Sequence, residues 1–105
     1  MEFREEKEFT EAVTRILDET AYFQLQDLLV ANPKAGDLII GGKGLRKIRV
    51  ASTGRGKRGG SRVIYYFYDM PQVILLLNIY EKNKKENLSS SEMKQLLKKI
   101  WEWKN

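Results

Sequence analysis

The sequence predicts an α+β fold with two N-terminal helices, an antiparallel β-sheet and a C-terminal helix. Three observations carry this reading. Apolar residues recur at helical spacing in two stretches before Pro33 and in one after Ser89. Between them lie three runs rich in β-branched and aromatic residues. A short turn joins the last two runs, so they should pair as an antiparallel hairpin. At 105 residues the chain suits one domain spanning residues 1–105.

Residues 1–6 are short and weakly alternating, and read as an edge strand or a frayed start. Phe9, Ala12, Val13, Ile16 and Leu17 then form one apolar stripe of an amphipathic helix. Glu8 and Glu11 sit near its positive end, where the dipole favours them. Asp18-Glu19-Thr20 interrupts the pattern as a joint. Tyr22, Phe23, Leu25, Leu28 and Leu29 resume helical spacing, and Asn32-Pro33 closes the second helix. The two helices are expected to form a hairpin. Residues 33–44 read as a glycine-rich loop.

The three strands are expected at Leu45–Ser52, Ser61–Asp69 and Val73–Tyr80, with Asp69-Met70-Pro71-Gln72 as the turn between the last two. Residues 53–60 join the first two strands and carry four glycines and three cations. The final helix has the clearest start signal in the chain. Ser89 and Glu92 form a capping box, flanked by Leu88 and Met93 as a hydrophobic staple. Met93, Leu96, Leu97, Ile100 and Trp101 are expected as its buried stripe, with Trp103 off it.

Composition excludes several chemistries. There is no cysteine, so disulfides, thiolate catalysis and zinc–thiolate sites are out. There is no histidine, the commonest metal ligand and general base. The longest apolar run, Val73 to Leu77, is too short to span a membrane, and the charged N-terminus lacks the apolar stretch of a secretory signal. The expectation is a cytoplasmic protein with no membrane association.

Charge is the most informative feature. The net charge is +5. Lys43, Arg46, Lys47, Arg49, Arg55, Lys57, Arg58 and Arg62 follow one another with no acidic residue among them. They leave 11 basic against 14 acidic residues elsewhere, a net −3. One segment therefore supplies the whole positive balance, the footprint of a polyanion-binding surface.

Strand alternation sorts these cations. Lys47 and Arg49 share one face, while Ile48 and Val50 take the other and should bury against helices. Arg62 shares a face with Ile64 and Tyr66, and Asn78 shares one with Tyr80 and Lys82. Strands paired in sequence order would let Lys47, Arg49, Arg62, Tyr80 and Lys82 converge. Arg46, Arg55, Lys57 and Arg58 are added as RNA-backbone contacts. The region has no paired carboxylates for two-metal hydrolysis, and its glycine-rich loop lacks the Lys-Ser/Thr end and following helix of a P-loop. A lysine, arginine and tyrosine cluster suits one reaction without metal or cofactor. RNA carries its own nucleophile, the 2′-hydroxyl. The protein need only move its proton, stabilise the phosphoryl oxygens and assist the leaving 5′-oxygen. Arginine forks match phosphoryl oxygens, and a lysine crowded by other cations gives up its proton more readily.

Three segments carry a family resemblance: Leu45-Arg46-Lys47-Ile48-Arg49, Gly59-Gly60-Ser61-Arg62-Val63-Ile64-Tyr65-Tyr66 and Ile79-Tyr80-Glu81-Lys82-Asn83. With the preceding helices they resemble the RelE/ParE superfamily of bacterial toxin–antitoxin toxins, closest to its RelE-like, HigB-like branch. The resemblance implies a ribosome-associated mRNA endonuclease (an mRNA interferase) that inhibits translation and is neutralised by a cognate antitoxin. It places Lys47 and Arg49 on the family's basic strand pair, Arg62 at its phosphate-contacting arginine and Lys82 in a segment that often supplies another catalytic cation. Asn83 stands where some members carry arginine, and the last helix lacks the tyrosine that some use. The alternatives are DNA gyrase inhibition of the ParE kind and non-catalytic RNA binding.

Neutralising Arg55, Lys57 and Arg58 together should weaken RNA or ribosome binding and flatten its salt dependence, because fewer counterions are released. Binding measured across a salt series checks this. An unchanged slope would remove these three residues from the interface.

Overall fold

The computed structural model describes residues 1–51 and 60–104. Among them the elements run β1 (Glu2–Glu5), α1 (Lys7–Ile16), α2 (Glu19–Ala31), β2 (Asp37–Leu38), β3 (Leu45–Val50), β4 (Ser61–Tyr68), β5 (Val73–Glu81) and α3 (Ser90–Lys104). The five strands form one sheet in the order β1-β5-β4-β3-β2. The expected three-stranded antiparallel core is present as β3-β4-β5. Two edges extend it. β1 joins β5 in parallel, making the sheet mixed, and β2 pairs antiparallel with β3. β2 lies inside the stretch expected as loop. Two residues are too few to show alternation, so composition alone reads as a turn.

The sheet separates two apolar layers. Phe9, Val13, Ile16 and Leu17 of the α1 stripe, with Ala21, Leu25 and Leu29 of α2, cover Ile48, Val50, Val63, Tyr65, Ile74, Leu76 and Ile79. The helices touch at Phe9 and Tyr22, whose ring centroids are 6.0 Å apart. The joint is tighter than expected. Glu19 and Thr20 already belong to α2, and the Asp18 side chain caps it by accepting from the Ala21 N–H at 2.8 Å. On the other face, Leu96 and Ile100 of α3 pack on Leu45, Ile64, Val73, Leu75, Leu77 and Tyr80. The central run of β5 is covered on both sides, which is why it reads as unbroken apolar sequence rather than as alternation.

The capping box forms as expected. The Ser89 N–H donates to Glu92 at 2.9 Å, and the Glu92 N–H donates to Ser89 Oγ at 3.1 Å. The tryptophans exchange roles. Trp101 is 68% exposed, whereas Trp103 is half-buried and packs edge-on against Tyr68 with centroids 5.0 Å apart. Helical geometry explains this: at about 100° per residue Trp103 falls about 20° from Leu96, and Trp101 about 140° away.

β5 contains a register shift. Ile64 pairs with Asn78, but Tyr65 pairs with Leu76, so Leu77 is the extra residue. Strict alternation would send Tyr80 to the opposite face from Leu75 and Leu77. The bulge reverses the phase, and all three lie on the α3 side.

Tyr65 ties the loop before β2 to the sheet. Its ring is fully buried, and its hydroxyl accepts from the Gly36 N–H at 2.8 Å and donates to the Pro33 carbonyl at 2.8 Å. The ring also leaves no room for a side chain at Gly36, where a Cβ would sit 2.8 Å from it. Tyr65→Phe should cost about 1–3 kcal/mol, because it strands two backbone groups with no replacement partner. Chemical denaturation checks this, and wild-type stability would contradict it.

Candidate functional site

The α3 face of the sheet is apolar at one end and carries cations at the other. α3 packs over the end that carries Tyr66, Tyr68 and Leu75. Toward the other end the same face bears cations. Strand register sets their order. Arg49 pairs with Arg62, and Arg62 pairs with Tyr80, so the three form one row across β3, β4 and β5. At about 4.8 Å per strand the row spans about 10 Å. Lys47 pairs with Ile64, and Ile64 with Asn78, giving a second row one step along the same face. Lys82 lies just past β5, where its backbone N–H continues the pairing by donating to the Gly60 carbonyl at 3.2 Å.

The structure thus brings Lys47, Arg49, Arg62 and Tyr80 onto one face, with Lys82 at its end. Arg46 does not join them. Its register partner is Tyr65, on the opposite face, and its guanidinium donates to the carbonyls of Gly36 at 2.8 Å and Lys34 at 3.3 Å. Strand alternation, which groups Lys47 with Arg49, sends Arg46 the other way, so it braces the loop instead of facing the cations. Arg55, Lys57 and Arg58 lie outside the described residues.

The segment after β5 folds back over this surface. The Tyr80 hydroxyl donates to the Glu86 carbonyl at 3.4 Å, and the Lys47 ammonium donates to Asn87 Oδ1 at 3.4 Å. The Lys85 ammonium stands 5.0 Å from the centroid of the Tyr80 ring and pairs with Glu92, the capping residue of α3. That pairing holds the Glu92 carboxyl below its usual range. The capping box therefore anchors Lys85 as well as the helix. Lys85 and Asn87 escape the sequence reading because only their position after a turn brings them here; the one signal is their place beside Lys82 in a short polar run.

Burial raises the Tyr80 phenol above its ordinary value, and the nearby Arg62 charge pulls it partly back. The hydroxyl therefore stays protonated at neutral pH and serves as a donor. Arg62 sits with its guanidinium 3.5 Å from the Ser61 carbonyl. A cleft of about 380 Å³ opens beside Lys47 and Tyr80, between β2 and the start of α3. The described side chains thus bring two arginine forks, two amines and one protonated phenol to one face, with the Asp37 carboxylate opposite Lys47 at its edge.

A sequence model of the RelE toxin of the RelE/RelB toxin–antitoxin system matches residues 26–103. The chain belongs to the RelE toxin family. The match runs from within α2 through β2, β3, β4 and β5 to the last turn of α3. It therefore includes every member of the cationic rows. As a RelE-family chain, the protein is the toxin component of a toxin–antitoxin system, and its family implies an antitoxin partner. No described helix is long and apolar enough to cross a membrane.

The Tyr80 phenol should titrate above the ordinary tyrosine value, and Arg62→Ala should raise it further, because a cation that favours the phenolate is removed. NMR titration of the Tyr80 ring carbon checks both shifts. A downward move in the variant would show that Arg62 and Tyr80 are not neighbours in solution.

Proposed function

We propose that this toxin is a metal-independent endoribonuclease that cuts mRNA at the ribosome and so stops translation. The observation that carries the proposal is the Arg49–Arg62–Tyr80 row with Lys47 beside it. Arg49 and Arg62 hold the non-bridging oxygens of the scissile phosphate and stabilise the charge that builds as the 2′-oxygen attacks. The new bond joins the 2′-oxygen to phosphorus, and the bond that breaks joins phosphorus to the 5′-oxygen of the next nucleotide. Lys47 and Lys82 flank the row, and one of them, as the neutral amine, takes the 2′-proton and becomes the ammonium. Tyr80, kept protonated by burial, donates to the leaving 5′-oxygen. Arg55, Lys57 and Arg58 track the backbone on either side. The cognate antitoxin silences the activity by covering this surface or by blocking access to the ribosome.

The family alone does not select this chemistry, since fold and function separate readily. Two guanidiniums directly opposite each other on β3 and β4 favour a phosphodiester substrate. Tyr80 adds a proton donor that simple binding would not need.

Arg62→Ala should lower cleavage by roughly two to three orders of magnitude, the usual loss for one transition-state contact. Stability should change by about 1 kcal/mol at most, because the side chain is partly exposed. Single-turnover cleavage and a denaturation curve on the same protein separate the two effects. A folded, fully active variant would take Arg62 out of the reaction. Lys47 and Arg49 variants should likewise slow the chemical step more than they weaken binding.

A further inference from the structure

The cleft beside Lys47 is built for something other than phosphate. Leu38, Ile39, Ile40, Leu88 and Met93 supply its apolar walls. Ile40 is 97% exposed and Leu38 60%, so apolar surface stands open at the rim. The walls are firmly held. β2 is paired to β3, and the turn after it is closed by Ile39 N–H to the Leu45 carbonyl at 2.9 Å, Gly42 N–H to the Ile39 carbonyl at 2.9 Å and Leu45 N–H to the Gly42 carbonyl at 3.0 Å. The capping box fixes the opposite wall at Leu88 and Met93. Two further polar side chains line the cleft, Asp37 and Asn87. Asp37 is the register partner of Lys47, one strand outward from the cations. Among the described residues it is the one acidic residue lining the cleft.

We infer that this cleft binds the base of a nucleotide whose phosphate lies on the Arg49–Arg62 row, and that Asp37 selects guanine. The inference rests on the RNA-cleavage reading and adds its sequence preference. The geometry is that of one nucleotide. Lys47 is two residues from Arg49, about 7 Å along β3, so phosphate site and apolar slot are adjacent. An apolar slot accepts the faces of any base, because every base has a π-face. Selection then falls to the polar edge. An ionised carboxylate only accepts hydrogen bonds. Guanine alone among the four bases offers two adjacent N–H donors on its Watson–Crick edge, N1–H and the 2-amino group, and these match the two oxygens of Asp37. Adenine and cytosine offer an amino group beside an acceptor that repels the second oxygen. Uracil offers one imide N–H flanked by two carbonyls. Single-stranded RNA exposes this edge, as a duplex does not.

The test is a titration of the intact protein with the four nucleoside 5′-monophosphates and with inorganic phosphate, followed on the methyl signals of Leu38, Ile39, Ile40 and Met93. Guanosine monophosphate should shift these signals and bind at least about tenfold more tightly than uridine monophosphate, in line with one good bidentate pair. Inorganic phosphate should leave them unmoved. Asp37→Asn, which turns one acceptor oxygen into a donor, should abolish the guanine advantage while its methyl spectrum stays that of the folded protein. Equal affinity for the four nucleotides in the wild-type protein overturns the inference without recourse to a variant. So does an undiminished guanine advantage in Asp37→Asn. Cleavage of ribosome-bound mRNA by the same preparation is scored separately. Guanine-selective binding with no cleavage would keep the cleft and refute the nuclease, while cleavage with no guanine selectivity would do the reverse.

Discussion

Arg49 and Arg62 lie directly opposite each other on neighbouring strands, and much of the molecule follows from that juxtaposition. Like charges at such a distance repel, so the pair weakens the sheet it sits on. Other interactions must hold β3 against β4. The apolar layers on both faces supply them. Ile48, Val50 and Val63 are buried on the side opposite the arginines, under α1 and α2. Leu45 and Ile64 are fully buried on the arginines' own side. What repels within the sheet attracts a phosphate placed between the two guanidiniums. In the proposed function, the stability lost locally is the source of phosphate binding.

The bulge at Leu77 extends the same logic to β5. The β5 run must be apolar on both faces because helices cover it twice. Beyond Leu77 the strand has to present a polar face to the cations and an apolar one to α1 and α2. One extra residue reverses the phase, leaving Ile79 in the helical core and Tyr80 next to Arg62. The segment that follows returns over the site, and its Lys85 is fastened to the cap of α3. The helix start, the bulge and the row of cations thus form one connected arrangement. Asp37 stands at its outer edge, where a two-residue strand places its carboxylate opposite Lys47.

Much of this was legible in the residues. The three central strands announce themselves through β-branched and aromatic runs, and Ser89 with Glu92 marks α3 to within a residue. Alternation alone puts Lys47 and Arg49 on one face. The same alternation sends Arg46 to the opposite face, beside Tyr65. Other features were hidden for physical reasons. A bulge leaves no mark in a continuous apolar run, so the proximity of Tyr80 to Arg62 needed the register. β2 is too short to show a period. Lys85, Asn87 and Asp37 reach the site through turns whose direction no local pattern specifies. Trp101 and Trp103 were readable from the helical angle, which places Trp103 beside Leu96 and Trp101 outside.

In the proposed reaction the cation row works on a phosphodiester bond with the RNA's own 2′-oxygen as nucleophile. That chemistry leaves a distinctive product, a 5′-hydroxyl on the downstream fragment and a 2′,3′-cyclic phosphate on the upstream one. The most direct test is to induce the protein in cells, map new mRNA ends and determine their chemistry. New 5′-hydroxyl ends should appear within coding regions and depend on Arg62. New ends bearing 5′-phosphate, or intact mRNA accompanied by altered DNA topology, would contradict the proposed reaction.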